Sequence, residues 1–168
     1  MNYVTYGGVT IGLVVLGYQL ATWYPGMKAL KKKPLPFLAQ LSPFLFGWVY
    51  GVLAILGVGG LIGWVADTAL WISNWLGDAA LVWGVGGTSG QSATGTVYLP
   101  LTQTGGGVLL ILTAVMAASV KKSKYGRDLS YGTWCGICLG TSAGVAGFAA
   151  VPLAQAANWL GDGVYGAL

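Results

Sequence analysis

Two thiols three positions apart, Cys135 and Cys138, are the residues of this 168-residue chain whose type and spacing best suit covalent chemistry. At that spacing a pair can cycle between dithiol and disulfide, provided one thiolate is stabilised and exposed. The rest of a catalytic apparatus is missing. The chain has no His, and its four acidic residues, Asp67, Asp78, Asp128 and Asp162, never pair on one apolar segment. No general base, triad or zinc or iron ligand set can be assembled from them, so neither catalysis, a cofactor nor a metal is expected. The glycine runs at Gly57-Val58-Gly59-Gly60 and Gly105-Gly106-Gly107 lack the Lys and Ser/Thr that would make them phosphate loops.

The run Trp134-Cys135-Gly136-Ile137-Cys138 resembles the Trp-Cys-Gly-x-Cys of thioredoxin. It is also similar to the Cys-x-x-Cys pairs that open a span in four-helix, quinone-linked thiol oxidases of the vitamin K epoxide reductase type. Either resemblance implies a thiol oxidoreductase. Thioredoxin places the motif after a strand, whereas here it lies in the first turns of an apolar segment, and the oxidases use a second cysteine pair where this chain has two cysteines in all. The favoured reading is therefore two small apolar residues on a packed helix, with the redox role as the lesser alternative.

Charge shows what those elements must be. Every basic residue falls in one of two short clusters, Lys28, Lys31, Lys32 and Lys33, then Lys121, Lys122, Lys124 and Arg127. Each cluster lies between long uncharged stretches, and Asp67, Asp78 and Asp162 lie beyond their far ends. With 55% hydrophobic and 7% charged residues, and a mean hydropathy of +0.71, the chain could not clothe a soluble surface. Lys and Arg in short loops stay in the cytoplasm and are held there by anionic lipid. The net charge of +4 is thus expected to anchor two turns to the inner leaflet, with no sequence-specific nucleic-acid binding.

Four stretches approach the length of about 20 apolar residues that a crossing needs. The first runs from Tyr3 to Tyr24 and is expected to stop at Pro25-Gly26; its start lacks the features of a cleaved signal, so it is expected to be retained. The second is clearest from Phe44 to Val65, after a break at Pro43. The third, around Val108–Val120, is short and invites tilt or local thinning, and the fourth runs from Tyr131 to Ala157 with a kink expected at Pro152. Between the second and third, Asp67–Trp83 reads as an amphipathic helix lying in the interface, with an extension of the second span as the alternative. Gly84–Gly107 reads as a loop or small hairpin with a β-prone patch at Thr96-Val97-Tyr98-Leu99. Both basic turns inside put both termini, and residues 66–106, outside the cell membrane.

Asn74-Trp75-Leu76-Gly77-Asp78 recurs letter for letter as Asn158-Trp159-Leu160-Gly161-Asp162. The expected fold is accordingly an all-α membrane protein: four transmembrane helices in two tandem hairpins forming a parallel internal repeat, plus the interfacial helix. Residues 1–80 form the first hairpin with its outer helix, 81–107 the outer loop, and 108–168 the second hairpin with its tail. The pentapeptides are expected to anchor the outer interface, with Trp75 and Trp159 at headgroup depth, Asn74, Asp78, Asn158 and Asp162 in water, and the glycine ending each helix. In lipid, helices associate through small residues, and Gly47 and Gly51 form one stripe, Gly132, Gly136, Gly140 and Gly144 another. The 29 glycines exceed what one intramolecular crossing needs, which points to further contacts between protomers.

The hairpin from Gly105 to Gly147 resembles in layout the pilins of conjugative type IV secretion, in which two apolar helices flank a basic turn. Small hydrophobic proteins of plasmid transfer in actinomycetes and phage holins are similar in the same generic way. These resemblances imply a non-enzymatic membrane protein, anchored by anionic lipids, self-assembling into an oligomeric pore or the membrane part of a transfer apparatus. The alternative is a structural subunit packed against other membrane proteins.

Overall fold

The structure, a computed structural model, describes residues 3–30, 34–95, 99–122, 126–143 and 148–167. Lys31, Lys32, Lys33, Lys124, Gly144 and most of the β-prone patch lie outside them. The described residues form six helices: α1 (Tyr6–Leu30), α2 (Pro34–Leu56), α3 (Gly60–Val85), α4 (Gln103–Lys122), α5 (Gly126–Gly140) and α6 (Ala150–Gly166). The chain is all-helical, with two isolated β-bridges and no strand among the described residues. Two stretches, Ala39–Leu56 in α2 and Gln103–Val120 in α4, are long and apolar enough to cross a membrane.

Helix boundaries differ from the expected spans at five places. α1 continues through Pro25 to Leu30, and α2 runs through Pro43. A proline removes one intrahelical hydrogen bond and crowds one carbonyl, a local loss that flanking turns can carry. The second span ends at Leu56 and not at Val65. Gly59 and Gly60 have φ of 79° and 74°, a left-handed conformation that suits glycine alone, and the chain turns there into α3. The expected interfacial helix is therefore longer, and closes at Gly86, whose positive φ lets the Gly86 and Gly87 amides cap the carbonyls of Val82 and Leu81. Among the described residues the fourth span, Tyr131–Ala157, is shared between α5 and α6, with Phe148 helical just before α6. Pro152 sits in the first turn of α6, where a missing amide hydrogen costs little, and the helical assignment is interrupted at Ala149, between Phe148 and Ala150.

The most intimate pair is α2 with α5. Gly47 backs onto the Leu129 carbonyl and Gly51 onto that of Thr133, while Gly132 and Gly136 back onto the carbonyls of Phe44 and Trp48. Contacts advance by four residues in the same sense on both helices, so the two run parallel. A Cβ at any of these four glycines would fall on a carbonyl oxygen of the opposite helix. Such proximity favours Cα–H···O contacts and dispersion, the forces that join helices where water gives no drive. α1 packs on the other side of α5 in the opposite direction: Gly12 meets Cys138 and Leu139, and further on Tyr18 meets Tyr131 edge to face at 5.8 Å. Trp23 and Phe44 make a second edge-to-face pair at 5.2 Å.

Residues 91–95 thread between the two ends of the chain. Ala93 donates to the Val4 carbonyl and accepts from the Ala143 amide, both at 2.7 Å, and Gly95 donates to Thr141 at 2.9 Å. In its described part the expected loop is thus a connector between the start of α1 and the end of α5, and does not pair with itself as a hairpin. Around it Val4, Val52, Ile55, Leu56, Leu70 and Ala154 form the main buried cluster.

Candidate functional site at the helix N-termini

Thr5 and Thr102 precede α1 and α4, and each hydroxyl accepts a hydrogen bond from the amide three residues on, Gly8 at 3.2 Å and Gly105 at 3.1 Å. That is N-capping, which satisfies one of the orphan amides of the first turn. What holds each cap comes from a distant helix. Asn74 on α3 accepts from the Thr5 amide at 3.1 Å and its hydroxyl at 3.3 Å, and donates to the Tyr3 carbonyl at 2.9 Å. Asn158 on α6 accepts from the Thr102 amide at 2.9 Å and its hydroxyl at 3.1 Å, and donates to the Pro100 carbonyl at 3.4 Å. The set of bonds is the same at both places.

One turn further on, Asp78 accepts from the amides of Gly7 (3.2 Å) and Gly90 (3.1 Å), and Asp162 accepts from the Thr104 hydroxyl at 2.6 Å. A carboxylate there also meets the positive end of the helix dipole. Gly77 lies against the backbone of Gly7, and Gly161 against Thr104 and Gly105, so both glycines permit close crossing. Gly8 and Gly105 are equally confined, because a Cβ on either would strike the Asn oxygen.

The pentapeptides therefore do something other than expected. Asn74, Asp78 and Asn158 are half-buried and clamp helix starts, Asp162 bonds Thr104 while staying exposed as expected, and neither glycine ends its helix, since α3 continues to Val85 and α6 to Gly166. Trp75 and Trp159 keep the anchor's exposure, at 67% and 74%. The partner motif, Thr-x-x-Gly after an apolar residue at Val4-Thr5 and Leu101-Thr102, was legible as a spacing but is too short to notice without knowing what it meets.

A groove of about 380 Å³ opens beside the first clamp, lined by Tyr3, Asp67, Trp71, Asn74, Trp75 and Asp78 among others. Its carboxylates and indoles suit a cationic group. One Asp67 oxygen is buried without a hydrogen-bond partner among the described residues. Burial raises the Asp67 carboxyl above the ordinary aspartate range. Because the folded value lies above the unfolded one, the stability this group contributes is complete below the unfolded pKa and is lost as pH rises through the folded pKa. Asp67→Asn should therefore leave stability unchanged near pH 3, raise it at pH 7 and flatten the difference, read by thermal unfolding across that range.

Cys135 and Cys138 are free and fully buried, with the Cys135 sulfur 3.6 Å from the Gly12 carbonyl, and neither lines the groove. Of the expected anchors, Lys121 and Lys122 end α4, and Arg127 is exposed in the first turn of α5. No group of three metal-ligating side chains occurs among the described residues. Compared with known proteins, the chain matches no family model, no curated protein and no solved structure.

Proposed function

We propose that this chain is a multi-pass membrane protein without catalysis of its own, acting as a packing subunit of a larger membrane assembly. In this reading α1, α2, α4 and α5 cross the bilayer as two tandem halves of one orientation, and α3 and α6 lie along the outer face, holding the starts of α1 and α4. Several features support it. The clamps occur at the ends of α1 and α4 opposite the basic turns, and α2 runs parallel to α5 as a duplicated hairpin requires. Large apolar side chains stand exposed over most helices, including Leu13, Val14, Trp64, Trp71, Leu110 and Ile111, a surface that lipid solvates and water does not. At 15 residues, α5 is about 22 Å long, which calls for local thinning or snorkelling by its flanking basic residues.

The observation that carries the subunit role is α4. Only 17% of its apolar stretch is buried, against 44% of that in α2. Its open side presents Gly106, with nothing within 4 Å of an added Cβ, together with exposed Ala114, Ala117 and Ala118. Small residues open to lipid on a peripheral helix fit a contact with a further helix. The glycine stripes of α2 and α5, by contrast, are used inside one chain and no longer argue for a neighbour. An oligomeric pore or transfer apparatus built from identical chains is the most specific form of this proposal.

Ala114→Cys in a background lacking Cys135 and Cys138 should crosslink to a neighbour in native membranes, and Ala114→Leu should lower the fraction of assembled species. Monomer alone in mild detergent and in lipid would refute the subunit role. Dye leakage from liposomes holding purified protein would favour the pore form, and tight liposomes a non-conducting subunit.

A further inference from the structure

At the end of the bundle remote from the clamps, a cavity of about 150 Å³ lies between α1, α2 and α5, lined by Tyr18, Gln19, Trp23, Gln40, Arg127 and Asp128 among others. Its size is on the order of five waters, enough for one small polar group. Gln19 is the unusual member: an amide side chain that is 2% exposed and lines this cavity from α1. Burying an amide is costly unless its hydrogen-bonding capacity is met, and the polar cavity beside Gln19 leaves room for a ligand to meet it. Arg127 and Asp128 supply one positive and one negative charge at the mouth, in the first turn of α5. The aromatic rings of Tyr18, Trp23 and Tyr131 surround them, as at a headgroup belt.

We propose that this cavity binds the headgroup of phosphatidylethanolamine from the adjoining leaflet. Its phosphate would lie on the Arg127 guanidinium, its primary ammonium on the Asp128 carboxylate, and its remaining donors would meet the Gln19 amide oxygen. The paired charges fit a zwitterion better than an anionic headgroup, for which Asp128 is repulsive. A primary ammonium brings three N–H donors to this site, and a quaternary one brings none. The assignment rests on the membrane reading above, and not on association through α4.

Native mass spectrometry of the full chain in mild detergent, titrated with phosphatidylethanolamine, phosphatidylcholine and phosphatidylglycerol of matched acyl chains, tests it. The expected result is a preference for phosphatidylethanolamine on the order of tenfold, the worth of one charge-assisted hydrogen bond. Gln19→Leu, which removes a buried polar group and should not unfold the chain, and Arg127→Gln should each erase the preference. Free phosphoethanolamine in excess should displace the lipid. Equal binding of the three lipids, a preference untouched by both variants, or binding of free phosphoethanolamine without any lipid preference would overturn the assignment. Because every arm reads lipid on protein already held in detergent, a failure here is distinguishable from a failure of membrane insertion, which fractionation reads.

Discussion

Gly136→Ala is expected to cost at least about 2 kcal/mol of stability, a large effect for one methyl group, because the added carbon falls on the Trp48 carbonyl. Neither side can yield cheaply. Trp48 is held in the backbone of α2, and α5 is fixed on its other flank by Gly12 and Cys135 of the α1 contact. Gly47, Gly51 and Gly132 make the same approach from their own sides, so Ala at any of them should give the same sign, and Leu should prevent the native pairing of α2 with α5. Gly17 is the control. It lies in α1 with nothing within 4 Å of an added Cβ, so Gly17→Ala should be neutral or stabilising by up to about 1 kcal/mol through helix propensity alone. Unfolding of each variant in mild detergent, followed by circular dichroism during denaturant titration, gives the comparison. Equal effects at Gly17 and Gly136 would show that the parallel α2–α5 contact is wrong.

Asn74→Ala should cost about 1–3 kcal/mol, since it leaves the Thr5 amide and the Tyr3 carbonyl without the partner that holds the start of α1. Asn158→Ala should act in the same direction on α4 and more weakly, because its bonds are exposed to solvent while two of those of Asn74 are partly buried. The two sites share no partner, so their effects should add. Asn74→Asp keeps the acceptor for Thr5 and loses the donor to Tyr3, and should recover part of the loss. Hydrogen exchange localises the result: protection should fall at the first turn of α1 in Asn74→Ala and at the first turn of α4 in Asn158→Ala. Uniform loss over the whole chain, with no excess at those turns, would contradict the clamp.

Much of this arrangement is written in local sequence. The all-helical class follows from long uncharged apolar stretches, and the small-residue rows at Gly47 and Gly51 and at Gly132, Gly136 and Gly140 do mark the helices that pack. Which row meets which is not a local property, and so their pairing within one chain was hidden behind the expectation of protomer contacts. Boundaries failed where hydropathy was continuous. Leu56 to Val65 stays apolar through the turn at Gly59 and Gly60, and only the backbone conformation at those glycines divides it. Pro152 did mark an interruption, since the helix assigned at Phe148 breaks at Ala149 and resumes at Ala150. The pentapeptides were visible as a repeat, but their hydrogen bonds go to residues 69 and 56 positions away, and that distance concealed their role.

In the proposed arrangement the two ends of the bundle face opposite sides of a bilayer, the clamped ends outward and the lysine-rich turns inward. Single cysteines placed at Ser89, in the connector after α3, and at Ser123, in the second basic cluster, can be labelled in intact cells with a membrane-impermeant maleimide, in a background with Cys135 and Cys138 replaced. The prediction is that Ser89→Cys labels from outside and Ser123→Cys labels only after permeabilisation. Labelling of both from the same side, or the reverse order, would contradict it.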